Sequence, residues 1–247
     1  MVGVRPRWCV NRILGVLSSA LLTCFTVAAL GATAGAVVVT PSSVISTAES
    51  AVAKQASVHV VFVAHADSPT KTETIVADVG RASGTETATE GKASLVITVS
   101  TTHAYVSGNP SGLTTIFGMS TSDAKKVGKD WESWKAGTSQ YADLKSDLTM
   151  SSVRALFPKA KGTRLTTEAS RGSTFSVLKW TIAATSSTPG VTNTLTVSSG
   201  ATTLPVMEVA RISNGAKATT TLSGWGERLV VAIPPSAATI PSSKITG

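Results

Sequence analysis

The hydrophobic positions change their period along the chain. Val44, Ile45, Ala48, Ala51 and Val52 recur at helical spacing, with Glu49 and Lys54 off that stripe, and predict one amphipathic helix over 42–56 after a short linker opened by Pro41. From Ser57 the period becomes two, with Val58, Val60 and Phe62 alternating with His59 and Val61. The segments 73–80, 94–100, 103–107, 175–184, 193–198, 205–212, 217–223 and 228–233 are likewise rich in Val, Ile, Thr and Leu and are separated by Gly, Ser, Pro and Asn, so they read as strands in two blocks. Between the blocks Pro110 precedes Leu113, Ile116 and Phe117. Ser120 with Asp123 then outlines a cap ahead of Ala124 to Val127, and Ser151 or Ser152 opens Val153, Leu156 and Phe157 before Pro158 stops the run.

Two or three short helices between two sets of hairpin-paired strands predict an α+β domain, because a sheet of this size needs an apolar layer over one face. The initial and central helices are the available cover. By strand parity Val58, Val60, Phe62, Leu95, Ile97, Val99, Leu178, Trp180 and Ile182 face inward, together with Leu113, Ile116, Phe117, Val153, Leu156 and Phe157 from the helices. No internal repeat divides 41–247, which reads as one domain following an N-terminal segment over 1–40.

That segment has no charge from Ile13 to Val39 and follows Arg5, Arg7 and Arg12, which places its start on the cytoplasmic side of a membrane. Two readings stand side by side. The length of the run suits a retained membrane-spanning anchor, whereas Ala32-Thr33-Ala34 and Ala34-Gly35-Ala36 supply A-x-A sites for signal cleavage after Ala34 or Ala36. Leu21-Leu22-Thr23-Cys24 has the outline of an acylation site, but Thr23 and the apolar residues after Cys24 depart from that pattern, and Cys24 reads better as a small apolar residue of the run. Cys9 and Cys24 would lie about 22 Å apart in a helix, so they do not pair, and the rest of the chain contains no cysteine.

Composition narrows the function. The 247 residues are 42% hydrophobic and 15% charged, too apolar for a disordered tail. Removing the three N-terminal arginines from 22 basic residues leaves 19 against 14 acidic ones, so the formal charge falls from +8 to +5 and the domain is only mildly basic. The cluster Arg154, Lys159, Lys161, Arg164 and Arg171 could meet anionic lipid or cell-wall phosphates, or form a solvated loop. Phe157 is the single aromatic residue within it, short of the repeated interleaving that stacks bases, and nucleic acid is not an expected partner.

Candidate chemistry is sparse. His59 and His65 share a strand face but sit ~20 Å apart, too far to hold one ion, and His103 belongs to another segment. Ser122 and Lys125 match S-x-x-K, yet the S-x-N element Ser107-Gly108-Asn109 precedes them and no K-T-G follows, so Ser122 reads as part of a helix start. Asp130 and Glu132, beside Trp131 and Trp134, form a carboxylate pair that reads as a solvated turn. No P-loop, dinucleotide fingerprint or nucleophile elbow is present. A non-enzyme without cofactor or metal is expected.

Several short patterns together look familiar. Ser57-Val58-His59-Val60 follows the first helix, and His103-Ala104-Tyr105-Val106-Ser107-Gly108 precedes a short one. Gly128-Lys129-Asp130-Trp131 comes next, then Thr203-Leu204-Pro205-Val206, and finally Leu222-Ser223-Gly224-Trp225-Gly226-Glu227 leads into Val230-Val231-Ala232-Ile233-Pro234-Pro235. In order and spacing, over roughly 42–240, this resembles the actinobacterial LppX/LprG-like exported lipoproteins, which are similar in fold to the LolA lipoprotein carriers.

The resemblance implies a strongly curved antiparallel sheet, a half-barrel, with helices across its concave face and an apolar cavity between them. It implies a monomer at the outer face of the plasma membrane, tethered or secreted, that holds acyl chains of a lipid, glycolipid or lipoprotein with the central helices as the gate. Trp131 and Trp225 resemble the family's structural tryptophans. The expected cavity residues are Val60, Phe62, Ile97, Val99, Leu113, Ile116, Phe117, Val153, Leu156, Phe157, Leu178 and Trp180. The alternative is an exported interaction or sensor module of the same fold without lipid cargo.

Overall fold

The structure is a computed structural model that describes residues 39–65, 72–170, 172–186, 188–200 and 202–245. The N-terminal anchor or signal, Cys24, the cleavage positions Ala34 and Ala36, and Arg171 lie outside the described residues. No helix among those described is long and apolar enough to cross a membrane.

Helix α1 (Pro41–Lys54) starts one residue before its expected position, because Thr40 and Ser43 cap it reciprocally. The Ser43 N–H donates to Thr40 Oγ1 at 3.2 Å, and the Thr40 N–H donates to Ser43 Oγ at 3.0 Å. Its buried stripe is Val44, Ile45, Ala48 and Val52, as the spacing predicts.

Twelve strands form one sheet. In chain order they are β1 (Ser57–His65), β2 (Thr72–Gly80), β3 (Gly84–Glu90), β4 (Ala93–Val99), β5 (His103–Gly108), β6 (Trp131–Lys135), β7 (Arg164–Ser170), β8 (Ser173–Ile182), β9 (Val191–Ser198), β10 (Pro205–Ile212), β11 (Lys217–Ser223) and β12 (Thr239–Pro241). Across the sheet the order is β12-β6-β5-β4-β3-β2-β1-β11-β10-β9-β8-β7. Two meanders are thus joined by the β1–β11 pair, where Val60 faces Leu222 and Phe62 faces Thr220. Every pair is antiparallel except β12 with β6, and β7 and β12 remain as free edges, so the sheet curves without closing into a barrel.

Between β5 and β6 lie a π-helical turn (Gly112–Ile116) and α2 (Thr121–Val127). Between β6 and β7 come α3 (Ser139–Asp147) and α4 (Met150–Arg154). The Asp123 N–H donates to the Ser120 side chain at 3.1 Å, so the expected cap of α2 is present. Helix α4 is entered at Thr149, not at Ser151 or Ser152. Glycine is required where the π-turn crosses β4, since a Cβ on Gly112 would stand 1.9 Å from the Ser94 carbonyl oxygen.

The sheet exceeds the sequence expectation at β3, β6, β7 and β12, and falls short of it once. Residues 228–233, expected as a strand, form no regular element and leave Val230 74% and Ile233 51% exposed. The strands they could have joined already have two partners each.

The main core runs from β1–β6 to the π-turn, α2, α3 and α4. A second, smaller core lies under α1, where Val44, Ile45 and Ala48 meet Leu178, Leu195 and Val197. Phe157 packs against both.

Candidate functional site

Strand alternation places one apolar row of each strand on the concave face. Val60 stands opposite Ala77, Phe62 opposite Ile75, and Ala77 opposite Glu86 across β1, β2 and β3. On the other side of the seam Phe62 faces Thr220, which in turn faces Glu208. The segment 147–156 crosses above these rows and contributes Asp147, Leu148, Ser152, Val153 and Leu156 to the roof of a cavity whose floor is the sheet.

The roof is fixed at its middle. Gly80 and Thr149 form a parallel backbone bridge, and a Cβ on Gly84 would lie 2.5 Å from the Leu148 carbonyl oxygen, so β3 accepts the helix junction only because residue 84 has no side chain. The cavity gives a water centre about 50 Å³ in which to move.

Its walls are mostly apolar, but the polar groups they carry are deeply buried. Glu86 is 3% exposed, Glu208 6% and Thr220 7%. Burial pushes the Glu208 carboxyl from 4.5 up to about 7, against the opposing effect of its side-chain hydrogen bond with Thr220. No lysine, arginine or histidine among the described residues lines the cavity.

Of the twelve expected cavity residues, Val60, Phe62, Val153 and Leu156 line this space. Ile97, Val99, Leu113, Ile116 and Phe117 are buried in the main core, where Phe117 packs on Trp134 with ring centroids 5.7 Å apart. Leu178 and Trp180 belong to the second core beneath α1, and Phe157 stands between the two. Sequence reasoning missed Glu86 because the run Gly-Thr-Glu-Thr-Ala-Thr-Glu lacks the apolar alternation of a strand. It also missed Glu208, although its place two residues before Ala210 on an alternating strand gives both one face.

The other candidates are dispersed. His59 Nδ1 meets Asp78 at 2.7 Å, His65 meets Thr72, and His103 stacks on Tyr105, so each histidine has its own neighbours; no metal-binding cluster occurs among the described residues. Ser122 shares a 2.9 Å hydrogen bond with Ser120 at the start of α2. The solvated turn expected around Asp130 and Glu132 is corrected for Glu132, which is 3% exposed on β6. The basic segment starts in helix α4 with Arg154, runs as a connection with no helix or strand over 155–163, and enters β7 at Arg164, where exposed charge suits a free sheet edge. The Trp225 Nε1–H donates to the Pro205 carbonyl at 3.2 Å, a structural contact.

No family model matches the sequence, and no curated protein matches it. Solved structures do. LprF from Mycobacterium bovis superimposes with a TM-score of 0.50 at 14% identity, over 79% of this chain and 97% of that one. The chain has an LppX/LprG-like fold. The Mycobacterium tuberculosis lipoprotein LppX follows with a TM-score of 0.47 at 16% identity, over 78% of this chain and 98% of LppX. A DUF1329 family protein from Desulfovibrio piger has a TM-score of 0.32 at 9% identity, over 78% and 96%. In the LppX/LprG-like fold of this chain, the curved sheet and the 147–156 roof are the parts that create an internal space.

Proposed function

We propose that the chain is an extracytoplasmic carrier that shelters acyl chains of a lipid, glycolipid or lipoprotein between the concave face of its sheet and the α3–α4 roof. The observation that carries this reading is the apolar-walled cavity at that junction. The family resemblance read from the sequence supports it. So does the uncharged run 13–39 behind three arginines, which suits delivery to the outer face of the plasma membrane as a tethered or secreted protein.

With only about 50 Å³ in which a water centre can move, the closed cavity is too small for a long acyl chain. Binding therefore requires the roof to lift. Burying ten methylenes at ~0.8 kcal/mol each provides about 8 kcal/mol, from which chain ordering and the opening of the roof are subtracted. The same small volume favours a second reading, an exported interaction or sensor module whose cavity is filled by its own side chains.

Native mass spectrometry of the full chain, expressed in an actinobacterial host and recovered in an amphipathic polymer without added lipid, separates the two. The carrier reading expects a stoichiometric acyl lipid that is lost in Leu156→Asp while the circular dichroism spectrum is retained. A ligand-free mass that takes up no added acyl lipid overturns it and leaves the interaction module.

A further inference from the structure

The polar side chains of the concave face are aligned. Asn193 on β9 is completely buried, and neither its Oδ1 nor its Nδ2 meets a hydrogen-bond partner among the described residues. It stands opposite Trp180 on β8 and Ala210 on β10. Glu208, two residues before Ala210, is therefore its diagonal neighbour on the same face, a separation of ~7–8 Å that side chains of this length can bridge. Glu208 in turn stands opposite Thr220 on β11. Asn193, Glu208 and Thr220 thus form a polar track across three strands, and its last two members line the apolar cavity. The neighbours of Asn193 on this face are the methyl group of Ala210 on β10 and the larger apolar Trp180 on β8 and Leu195 on β9, so Asn193 is enclosed and lies behind the cavity wall that Glu208 and Thr220 line.

A buried amide with donor and acceptor both unused is a rare and costly arrangement. The group that serves it must both donate and accept, and must also be tolerated by a carboxyl a few ångströms away. A hydroxyl meets both conditions, having one donor and two acceptor lone pairs. A ligand carboxylate would meet the Glu208 carboxylate as a like charge, and a chain end without a donor would leave the track unsatisfied.

We infer that the inner end of the cavity receives a neutral, hydroxyl-bearing end of a single acyl or alkyl chain, held between Asn193 and Glu208. This rests on the acyl-binding reading and adds to it a polar end and a direction of insertion.

The test uses the full chain in amphipathic polymer, stripped of lipid on a hydrophobic resin, with three probes of equal chain length: 1-hexadecanol, its methyl ether and hexadecanoate. Occupancy is read by native mass spectrometry at pH 8. The alcohol is expected to bind at least ~10-fold more tightly than the ether or hexadecanoate, the discrimination of a site whose buried polar groups need the hydroxyl. Asn193→Leu should bring alcohol and ether to within about twofold without weakening the ether, and Glu208→Gln should admit hexadecanoate. If either variant fails to fold, the wild-type ranking alone decides. Equal binding of alcohol and ether by the wild-type protein overturns the inference, with Asn193 then served by water, and leaves the acyl-binding reading intact. Failure of all three probes to bind overturns both.

Discussion

Glu208 shows how much one side chain on this face can matter. Its carboxyl is raised from 4.5 to about 7, so between these values the folded protein keeps a proton that the unfolded chain has lost. Stability attributable to Glu208 therefore falls as pH rises through that window, at ~1.4 kcal/mol per pH unit, and levels off above pH 7 after a loss of ~3 kcal/mol. Glu208→Gln removes the titration. Urea denaturation from pH 4 to 8 should find the variant close to the wild type at pH 4 and more stable by ~1–3 kcal/mol at pH 8. Glu86 and Asp147 line the same cavity but are common to both proteins, so the difference between the two curves isolates Glu208. A difference that does not change with pH would show that this carboxyl titrates normally.

At the scale of elements, the roof is held both by buried side chains of the main core, Leu148, Val153 and Leu156 among them, and by close backbone approach. Gly84 admits Leu148 against β3, and Gly84→Ala would put a Cβ 2.5 Å from the Leu148 oxygen and 3.1 Å from its Cβ. The junction must then shift, and the variant is expected to lose ~1–3 kcal/mol of stability, measured by thermal or urea unfolding. An unchanged midpoint would mean that the roof moves away at little cost.

This element also shows where the sequence was legible. Val60, Phe62, Val153 and Leu156 announce their facing through strand alternation and helical spacing, and they line the cavity. Helix α3 escaped notice although Thr138 caps it and Tyr141, Leu144 and Leu148 are spaced to bury one side, because nine mostly polar residues carry a weak period. Glu132 read as solvated because its neighbours are charged or aromatic, yet pairing with Val106 on β5 and Ile240 on β12 encloses it. The run Val230 to Ile233 misled in the opposite sense. Its apolar residues are good strand formers, but strand propensity produces a strand only where an unpaired edge is within reach, and β1, β2 and β11 have none to offer.

For the molecule as a whole, the decisive fact is that twelve strands curve without closing. A closed barrel would hold its interior by continuous strand pairing, whereas here the sheet is covered by helices, with α3 and α4 between β6 and β7 roofing the cavity. The β1–β11 seam joins segments some 150 residues apart in the chain, and each of its strands is paired on both sides, so its opening should require global unfolding. The α3–α4 roof needs only local opening. Native-state hydrogen exchange should accordingly find the slowest amides in β1, β2 and β11 and much faster exchange over 139–156, with the two regions converging only near the denaturation midpoint. Loading with 1-hexadecanol should slow the roof while leaving the seam unchanged, since a chain beneath Leu148, Val153 and Leu156 stabilises the closed roof against local opening without altering the strand pairs. A roof that exchanges as slowly as the seam in the ligand-free protein would count against entry by this route, because the 147–156 cover over the cavity would then be as permanent as the sheet beneath it.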